Sequence, residues 1–266
     1  MKRARRLDEM KTTFGAEQVS EAERRGAVTG LFDRIAPRYD LMNDLMSFGT
    51  HRLWKRVMVA RAVAHLGDAP GPVLDLAGGT GDIALALRRH LADRPIIVAD
   101  ASAGMLGVAR ERAGERASER ASERASEQAG DRLDTLHAPA EALPLADNSV
   151  ALVTLSFGLR NMTDPGGALR EVTRVLAPGA ALVLLEFSKP AAWFAPLYGL
   201  HARHVIPRIG AAVARDRAAY AYLVASIERF PGREDIAREL AAAGLTLVED
   251  RAFMFGIARL HIAVKP

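Results

Sequence analysis

Asp75 and Asp100 bracket three glycines in four residues, Gly78, Gly79 and Gly81. Before the glycines runs the apolar stretch Pro72 to Leu76; after them Ile83, Ala84 and Leu85 open a helical pattern. That is strand, tight loop, helix. Glycines there permit positive φ and let a ligand approach backbone N–H groups. The second acid ends another apolar run, Ile96-Ile97-Val98-Ala99, where a carboxylate can bind a ribose diol.

Two ligands compete for this loop. Gly79-Thr80-Gly81-Asp82-Ile83-Ala84 fits the dinucleotide fingerprint G-x-G-x-x-A. Two residues earlier, Asp75-x-Ala77-x-Gly79-x-Gly81 resembles the D/E-x-G-x-G-x-G loop of Rossmann-like methyltransferases that use S-adenosylmethionine, with Ala77 for the first glycine. A pyrophosphate would be repelled by Asp82, whereas a cationic ligand tolerates both Asp75 and Asp82. The cationic methyl donor is the favoured reading.

The elements that must position these residues follow from periodicity. Residues 1–20 read as poorly ordered. Val28, Leu31, Phe32 and Ile35 give a helix from Glu21, and Pro37 disfavours its continuation. A second helix spans His51 to Leu66, and Gly67, Pro70 and Gly71 link it to the central strand. Residues 1–67 thus read as a helical cap and 68–266 as an αβ core. Further strands are Val150 to Leu155, Ala181 to Leu185 ending at Glu186, Leu245 to Val248, and Ile257 to Val264. Helices with Ala168, Leu169, Val172 and Val175, and from Ile236 to Ala243, fall between them. Such alternation predicts a doubly wound, mostly parallel sheet. Residues 111–130 hold three E-R-A-S repeats with no apolar stripe, so a solvated helical extension or an irregular excursion without chemistry is expected.

Bulk composition narrows the classes. The chain has 266 residues, 49% hydrophobic and 26% charged, enough for a sizeable core. It has no cysteine, which excludes a disulfide framework and thiolate chemistry. Net charge is +4 with pI near 9.7. The basic Met1-Lys2-Arg3-Ala4-Arg5-Arg6 is followed by polar residues, so no signal peptide is expected, and no run approaches a membrane span. The charge is too diffuse to point to nucleic acid. His201 and His204 lack a third ligand at recognisable spacing, so no metal site is expected.

Several stretches together resemble one family, the ubiquinone/menaquinone biosynthesis C-methyltransferases. They are Phe32-Asp33, the run from Tyr39 to Lys55, Asp75 to Asp82, Ser156-Phe157-Gly158-Leu159-Arg160-Asn161, Arg174 to Gly179, Leu185 to Pro190, Pro207 to Gly210, and Tyr220 to Pro231. The resemblance covers nearly the whole chain apart from the E-R-A-S insert. It implies a seven-stranded Rossmann-like methyltransferase sheet with an N-terminal cap. It implies S-adenosylmethionine as methyl donor and a polyprenylated quinol, 2-polyprenyl-6-methoxy-1,4-benzoquinol and/or demethylmenaquinol, as acceptor. Asp75, Gly79, Thr80, Gly81, Asp100, Ala140 and Ser156 resemble the donor-binding residues. Pro139 stands where the family has an asparagine, which removes a side-chain amide from the adenine region.

A quinol ring carbon becomes nucleophilic when a phenolic proton leaves. Arg160 is therefore expected to stabilise phenolate charge, with Asn161 orienting it and Tyr39 as a substrate-facing hydroxyl. Asp40, Asp44 and His51 are candidate proton acceptors. Trp193, Phe194, Leu197, Tyr198 and Leu200 read equally as packing and as an entry for an isoprenoid tail. The expected location is cytoplasmic and peripheral at the inner membrane face, as a homodimer or part of a quinone-biosynthesis assembly, held by weak, salt-sensitive attraction of the basic terminus to anionic lipid. The alternatives are a nicotinamide-dependent oxidoreductase and a donor-binding, non-catalytic assembly component.

Overall fold

The computed structural model describes residues 7–14, 17–36, 44, 47, 49–123, 133–204 and 217–266. Helix α1 (Glu21–Ile35) starts at a capping box. The Glu23 amide donates to Ser20 Oγ, and the Ser20 amide donates to Glu23 Oε2. This S-x-x-E signal is present in the sequence and explains the helix start. Ahead of it, Leu7–Met10 forms a short 3-10 turn, and Thr13–Phe14 pairs with Glu17–Gln18. Leu7 and Met10 are buried against the sheet core. Burial of one such side chain is worth about 1.5–3 kcal/mol, enough to order a short turn that composition alone marks as polar.

After α2 (Thr50–Ala64) the chain alternates as expected. The strands are β1 (Val73–Leu76), β2 (Ile96–Asp100), β3 (Asp134–His137), β4 (Val150–Ser156), β5 (Leu176–Phe187), β6 (Thr246–Phe253) and β7 (Ala258–Val264). The helices between them are α3 (Asp82–Leu87), α4 (Ala103–Glu123), α5 (Pro165–Val175), α6 (Ala195–His204), α7 (Arg217–Arg229) and α8 (Arg233–Ala242). The seven strands lie in the order β3-β2-β1-β4-β5-β7-β6. The first five are parallel, and β7 runs antiparallel to β5 and to β6. Ligands of such sheets bind outside the carboxyl ends of the strands where the order reverses, here between β1 and β4.

Alternate residues of each central strand feed two cores. Leu74, Leu76, Val153, Leu155, Leu182 and Leu184 pack with Leu169 and Val172 of α5 and Leu240 of α8. Val73, Leu152, Val183 and Leu185 pack with Trp54 and Met58 of α2, Ile83 and Leu87 of α3, and Leu106 of α4. Buried strands therefore read as apolar runs rather than alternations. Strand β3 is the exception. Asp-Thr-Leu-His at the sheet edge has no buried residue, so no apolar run announces it. A third cluster joins Val28, Leu31 and Ile35 of α1 to Met105 and to Tyr222 of α7, which sets the cap over the strand ends.

Helix α4 runs without a break to Glu123, through the first two E-R-A-S repeats, and residues 124–132 lie outside the described part. Its first turns carry Arg112, whose Nη1 donates to Thr80 Oγ1 at 2.9 Å. The segment expected to lack chemistry thus begins with a residue that holds the glycine loop.

Asp75 sits at the centre of the sheet, 1% exposed. It accepts from Thr154 Oγ1 at 2.8 Å and from the Ala84 amide at 3.1 Å, tying β1 to β4 and to α3. Burial pushes its carboxyl up to about 7 against these two hydrogen bonds. A carboxyl raised in the fold is stabilising below its unfolded value near 4, and that contribution fades as pH rises through the folded value. Asp75→Asn removes the charge, its oxygen accepting from the Ala84 amide and its Nδ2 donating to Thr154 Oγ1 in place of the acceptor there. Urea unfolding of the two proteins side by side should show wild type losing a few kcal/mol relative to Asp75→Asn between about pH 4 and pH 7, and no further change above. A gap that is flat with pH would contradict a raised Asp75.

Candidate active site

Every second residue of the loop after β1 takes left-handed backbone. Ala77, Gly79 and Gly81 have φ of 50°, 57° and 76°. Gly78 cannot carry a side chain, because a Cβ would lie 2.7 Å from Val98 Cγ1. The Gly78 amide donates to the Ala99 carbonyl at 3.1 Å, and the Gly79 amide donates to Asp100 Oδ2 at 2.9 Å. Asp100 Oδ1 accepts from the Ser102 amide at 2.8 Å. Burial raises the Asp100 carboxyl and these amides oppose the shift. Each oxygen keeps a second lone pair for a ligand hydroxyl.

A cavity of about 280 Å³ lies over this loop, at the carboxyl ends of β1, β2, β3 and β4. Gly79, Asp100, Ala140, Ser156 and Asn161 line it. The Ser156 hydroxyl is buried with no hydrogen-bond partner, an orphan polar atom at the wall of a ligand-sized space. Helix α1 covers the cavity with Arg25, Val28, Thr29 and Phe32, and His137 at the end of β3 lines it while its Nε2 lies 3.0 Å from the Ala101 carbonyl. None of these was legible as a site residue. The i, i+3, i+4, i+7 spacing of Arg25, Val28, Thr29 and Phe32 was the available signal, but it reads equally as core. Glu141 also lines the cavity, with Oε1 accepting from the Asp164 amide at 2.8 Å.

Asp75, Thr80 and Gly81 are not among the residues that border the cavity. Asp75 lies beneath the loop as described. Thr80 is buried with its hydroxyl on Arg112, and a Cβ on Gly81 would lie 3.2 Å from Ala109 Cβ. These three shape the loop through β4, α3 and α4 rather than through the cavity.

Arg160 is placed differently from its expected role. Its side chain is 1% exposed, with Nη1 donating to Glu186 Oε1 at 2.6 Å and to the Phe157 carbonyl at 2.6 Å. The guanidinium carbon lies 5.1 Å from the Phe187 ring centroid and 5.9 Å from that of Phe157. Glu186 is raised by burial, opposed by Arg160 and by the Phe187 and Arg160 amides. Arg160 is therefore a strut behind the cavity wall, with its charge taken by Glu186. Asn161 does not orient it. Its Nδ2 donates to the same Phe157 carbonyl at 3.2 Å, and its Oδ1 accepts from Tyr222 Oη at 3.1 Å. Asn161 does border the cavity. Tyr39 and Asp40 lie outside the described residues. Asp44 bonds Arg52 and His51 lies 2.7 Å from Ser47 Oγ, and neither borders the cavity. No cluster of three or more His, Asp or Glu suited to a metal occurs among the described residues.

A β1–glycine loop–α3 crossover with an acid ending β2 and an orphan serine hydroxyl ending β4 fits the Rossmann-like class of S-adenosylmethionine-dependent methyltransferases. Solved structures share the fold. Magnesium protoporphyrin IX methyltransferase ChlM from Synechocystis PCC 6803, with bound SAH, aligns with TM-score 0.59 and 18% identity over 91% of this chain and all of that one. The [4+2]-cyclase SpnF aligns with TM-score 0.61 and 19% identity over 90% and 96%. A fold shared with a cyclase does not by itself fix the reaction.

Sequence relatives do. The model of the ubiE/COQ5 methyltransferase family matches residues 17–265. The ubiquinone/menaquinone biosynthesis C-methyltransferase UbiE of Rubrivivax gelatinosus is 44% identical, over 95% of this chain and 92% of its own length. That of Xylella fastidiosa strain M23 is 43% identical over 96% of both. The chain belongs to the ubiE/COQ5 methyltransferase family and is an S-adenosylmethionine-dependent C-methyltransferase. The oxidoreductase and non-catalytic readings are not favoured.

The cavity wall turns on one close contact. Phe157 has φ of 56°, and a Cβ on Gly158 would stand 2.6 Å from Ala77 Cβ. Gly158→Ala should destabilise the protein by about 1–3 kcal/mol in urea unfolding. Adding Ala77→Gly removes the opposing methyl and a left-handed alanine, so it should recover most of the loss. Two independent, additive effects would show that these turns do not touch.

Proposed function

We propose that the cavity holds S-adenosylmethionine and that the enzyme methylates a ring carbon of a polyprenylated quinol beside Asn161. As a ubiE/COQ5 family member the chain is a C-methyltransferase of quinone biosynthesis. The substrates implied are 2-polyprenyl-6-methoxy-1,4-benzoquinol and demethylmenaquinol. The observation that carries the site assignment is the cavity in which Asp100 offers two acceptor oxygens and Ser156 an unsatisfied hydroxyl. When bound, S-adenosylmethionine supplies a methyl group on a cationic sulfur.

In this reading Asp100 takes the ribose hydroxyls, with its carboxylate held by the Gly79 and Ser102 amides. Ala140 lies along the adenine, and Ser156 donates to the polar end of the donor. Asn161 is the catalytic candidate that borders the cavity, its amide fixed by Tyr222 and the Phe157 carbonyl. Phe157, Phe32 and Met105 exclude water there, which sharpens every electrostatic contact. Tyr39 remains assigned to the substrate side on the family resemblance. No helix among the described residues is long and apolar enough to cross a membrane. In this reading the quinol's tail keeps the substrate in the bilayer, and the enzyme meets it at the inner membrane face from the cytoplasmic side.

The test supplies isotopically labelled S-adenosylmethionine with each quinol and identifies products by mass spectrometry. One labelled methyl on a ring carbon of at least one quinol is expected. Asp100→Ala should weaken donor binding about 10- to 100-fold by titration calorimetry, the range for hydrogen bonds to a charged group. Donor binding without transfer to either quinol would overturn the substrate assignment. Unchanged donor affinity in Asp100→Ala would remove the ribose role.

A further inference from the structure

The turn between β6 and β7 carries an aromatic cluster on the outside of the molecule. Trp193 is 68% exposed, Leu200 59%, Phe255 56% and Met254 40%. Ring centroids of Trp193 and Phe255 lie 4.8 Å apart, and those of Phe194 and Phe255 5.0 Å apart. The Ala191 amide donates to the Phe255 carbonyl at 2.7 Å, which locks the turn to the segment before α6. The rings are packed on one another and face outward together.

The turn is also strained. Met254 has φ of 40° and Phe255 of 55°. A bulky aromatic seldom adopts left-handed backbone, and asparagine or glycine would do so more readily. The Phe255 side chain gains little from the interior, being more than half exposed. A row of rings connects this surface to the cavity wall. Phe157, which lines the cavity, lies 6.4 Å from Trp54, and Trp54 lies 6.1 Å from Phe253, the residue before the turn.

Charge selects the partner. The three segments that meet here, 52–58, 188–204 and 251–257, contain no Asp or Glu. Their described side chains include Arg52, Lys55, Arg56, Lys189 and Arg251. Arg52 and Lys55 pair with Asp44 and Asp82, while Arg56 and Arg251 are exposed, Arg251 lying 5.7 Å from the Phe253 ring centroid. Tryptophan and phenylalanine rimmed by arginine match the boundary between acyl chains and anionic headgroups.

We propose that this cluster seats the protein on an anionic lipid bilayer, with Trp193, Phe255 and Met254 entering the headgroup boundary and Arg56 and Arg251 meeting lipid phosphates. The role in drawing substrate from the bilayer rests on the quinol reading above. Part of the attachment is apolar, so it persists at high salt, unlike attachment by a basic terminus alone.

The chain has two tryptophans, and Trp54 is 3% exposed, so Trp193 reports on the surface directly. The experiment adds the full chain to phosphatidylcholine vesicles with and without phosphatidylglycerol. With phosphatidylglycerol, tryptophan emission should shift to the blue and be quenched by brominated lipid, partly so even in high salt. The double variant Trp193→Ser/Phe255→Asn removes both rings, and asparagine accepts the left-handed backbone, so its melting temperature should not fall. Its vesicle partitioning should drop about tenfold or more. Its methyl transfer to a short-tailed, water-soluble quinol should match wild type, while transfer to a long-tailed quinol in vesicles falls with the binding. Wild-type emission unmoved by anionic vesicles, or a double variant that partitions equally well, would overturn the proposal. So would concentration-dependent self-association in light scattering that the same variant abolishes, because a second copy would then cover the patch. Failure to methylate any quinol would sink the quinol reading alone, since vesicle partitioning is read without activity.

Discussion

A buried cation after β4 has to be paired, and the site is built around how it is. Arg160 and Glu186 meet at 2.6 Å with side chains 1% and 2% exposed. Desolvating both costs several kcal/mol per ion, returned only where geometry and extra hydrogen bonds are good. Here the Phe157 carbonyl and the Phe187 amide supply such bonds, while Arg160 Nε stays buried without one. The pairing ties the turn after β4 to the end of β5. Arg24 of α1 completes the arrangement, donating from Nη1 to the Met162 carbonyl at 2.5 Å, from Nη2 to the Arg160 carbonyl at 3.1 Å and from Nε to the Thr13 carbonyl at 2.8 Å. Cap, turn and sheet thus share one buried polar network directly behind the cavity.

That network explains the strain at the site. With the turn held from behind, Phe157 stands in left-handed backbone, and Gly158 lies so near Ala77, itself left-handed, that no Cβ fits between them. Strain of this kind persists where surrounding contacts over-determine the backbone, and it costs of order 1–3 kcal/mol per residue. Its effect is to hold Ser156 and Asn161 at the cavity wall on either side of a turn that has no freedom to relax.

Much of the fold was legible because buried parallel strands announce themselves as apolar runs. Val73–Leu76, Ile96–Ala99 and Val150–Leu155 read that way, and the glycines between β1 and α3 marked the crossover. Strand β3 was not legible, since Asp134-Thr135-Leu136-His137 pairs at an edge and buries nothing. Asp100, Gly79, Ser156 and Asn161 fall on the cavity because their distance from a strand end follows from the strand itself. Arg160 does not, because a cation past a strand end looks the same whether it faces a ligand or a carboxylate. Its partner lies on the neighbouring strand, and only the β4–β5 pairing brings Glu186 to it. Thr80 and Gly81 escaped for a similar reason, as the packing of α4 on the loop is a tertiary fact.

In the proposed reading Arg160 acts by holding the turn and not by lending charge to the reaction. Single-turnover methyl transfer at saturating donor and quinol separates the two. Arg160→Met leaves the Glu186 carboxylate buried and unpaired, so loop geometry and rate should both suffer, at a stability cost of about 3–5 kcal/mol. Arg160→Met with Glu186→Gln removes both charges while the glutamine oxygen still accepts from the Phe187 amide. This double variant should regain stability and transfer methyl clearly faster than Arg160→Met alone. A double variant that regains stability yet stays at the rate of Arg160→Met would contradict that reading and return the guanidinium to the chemistry.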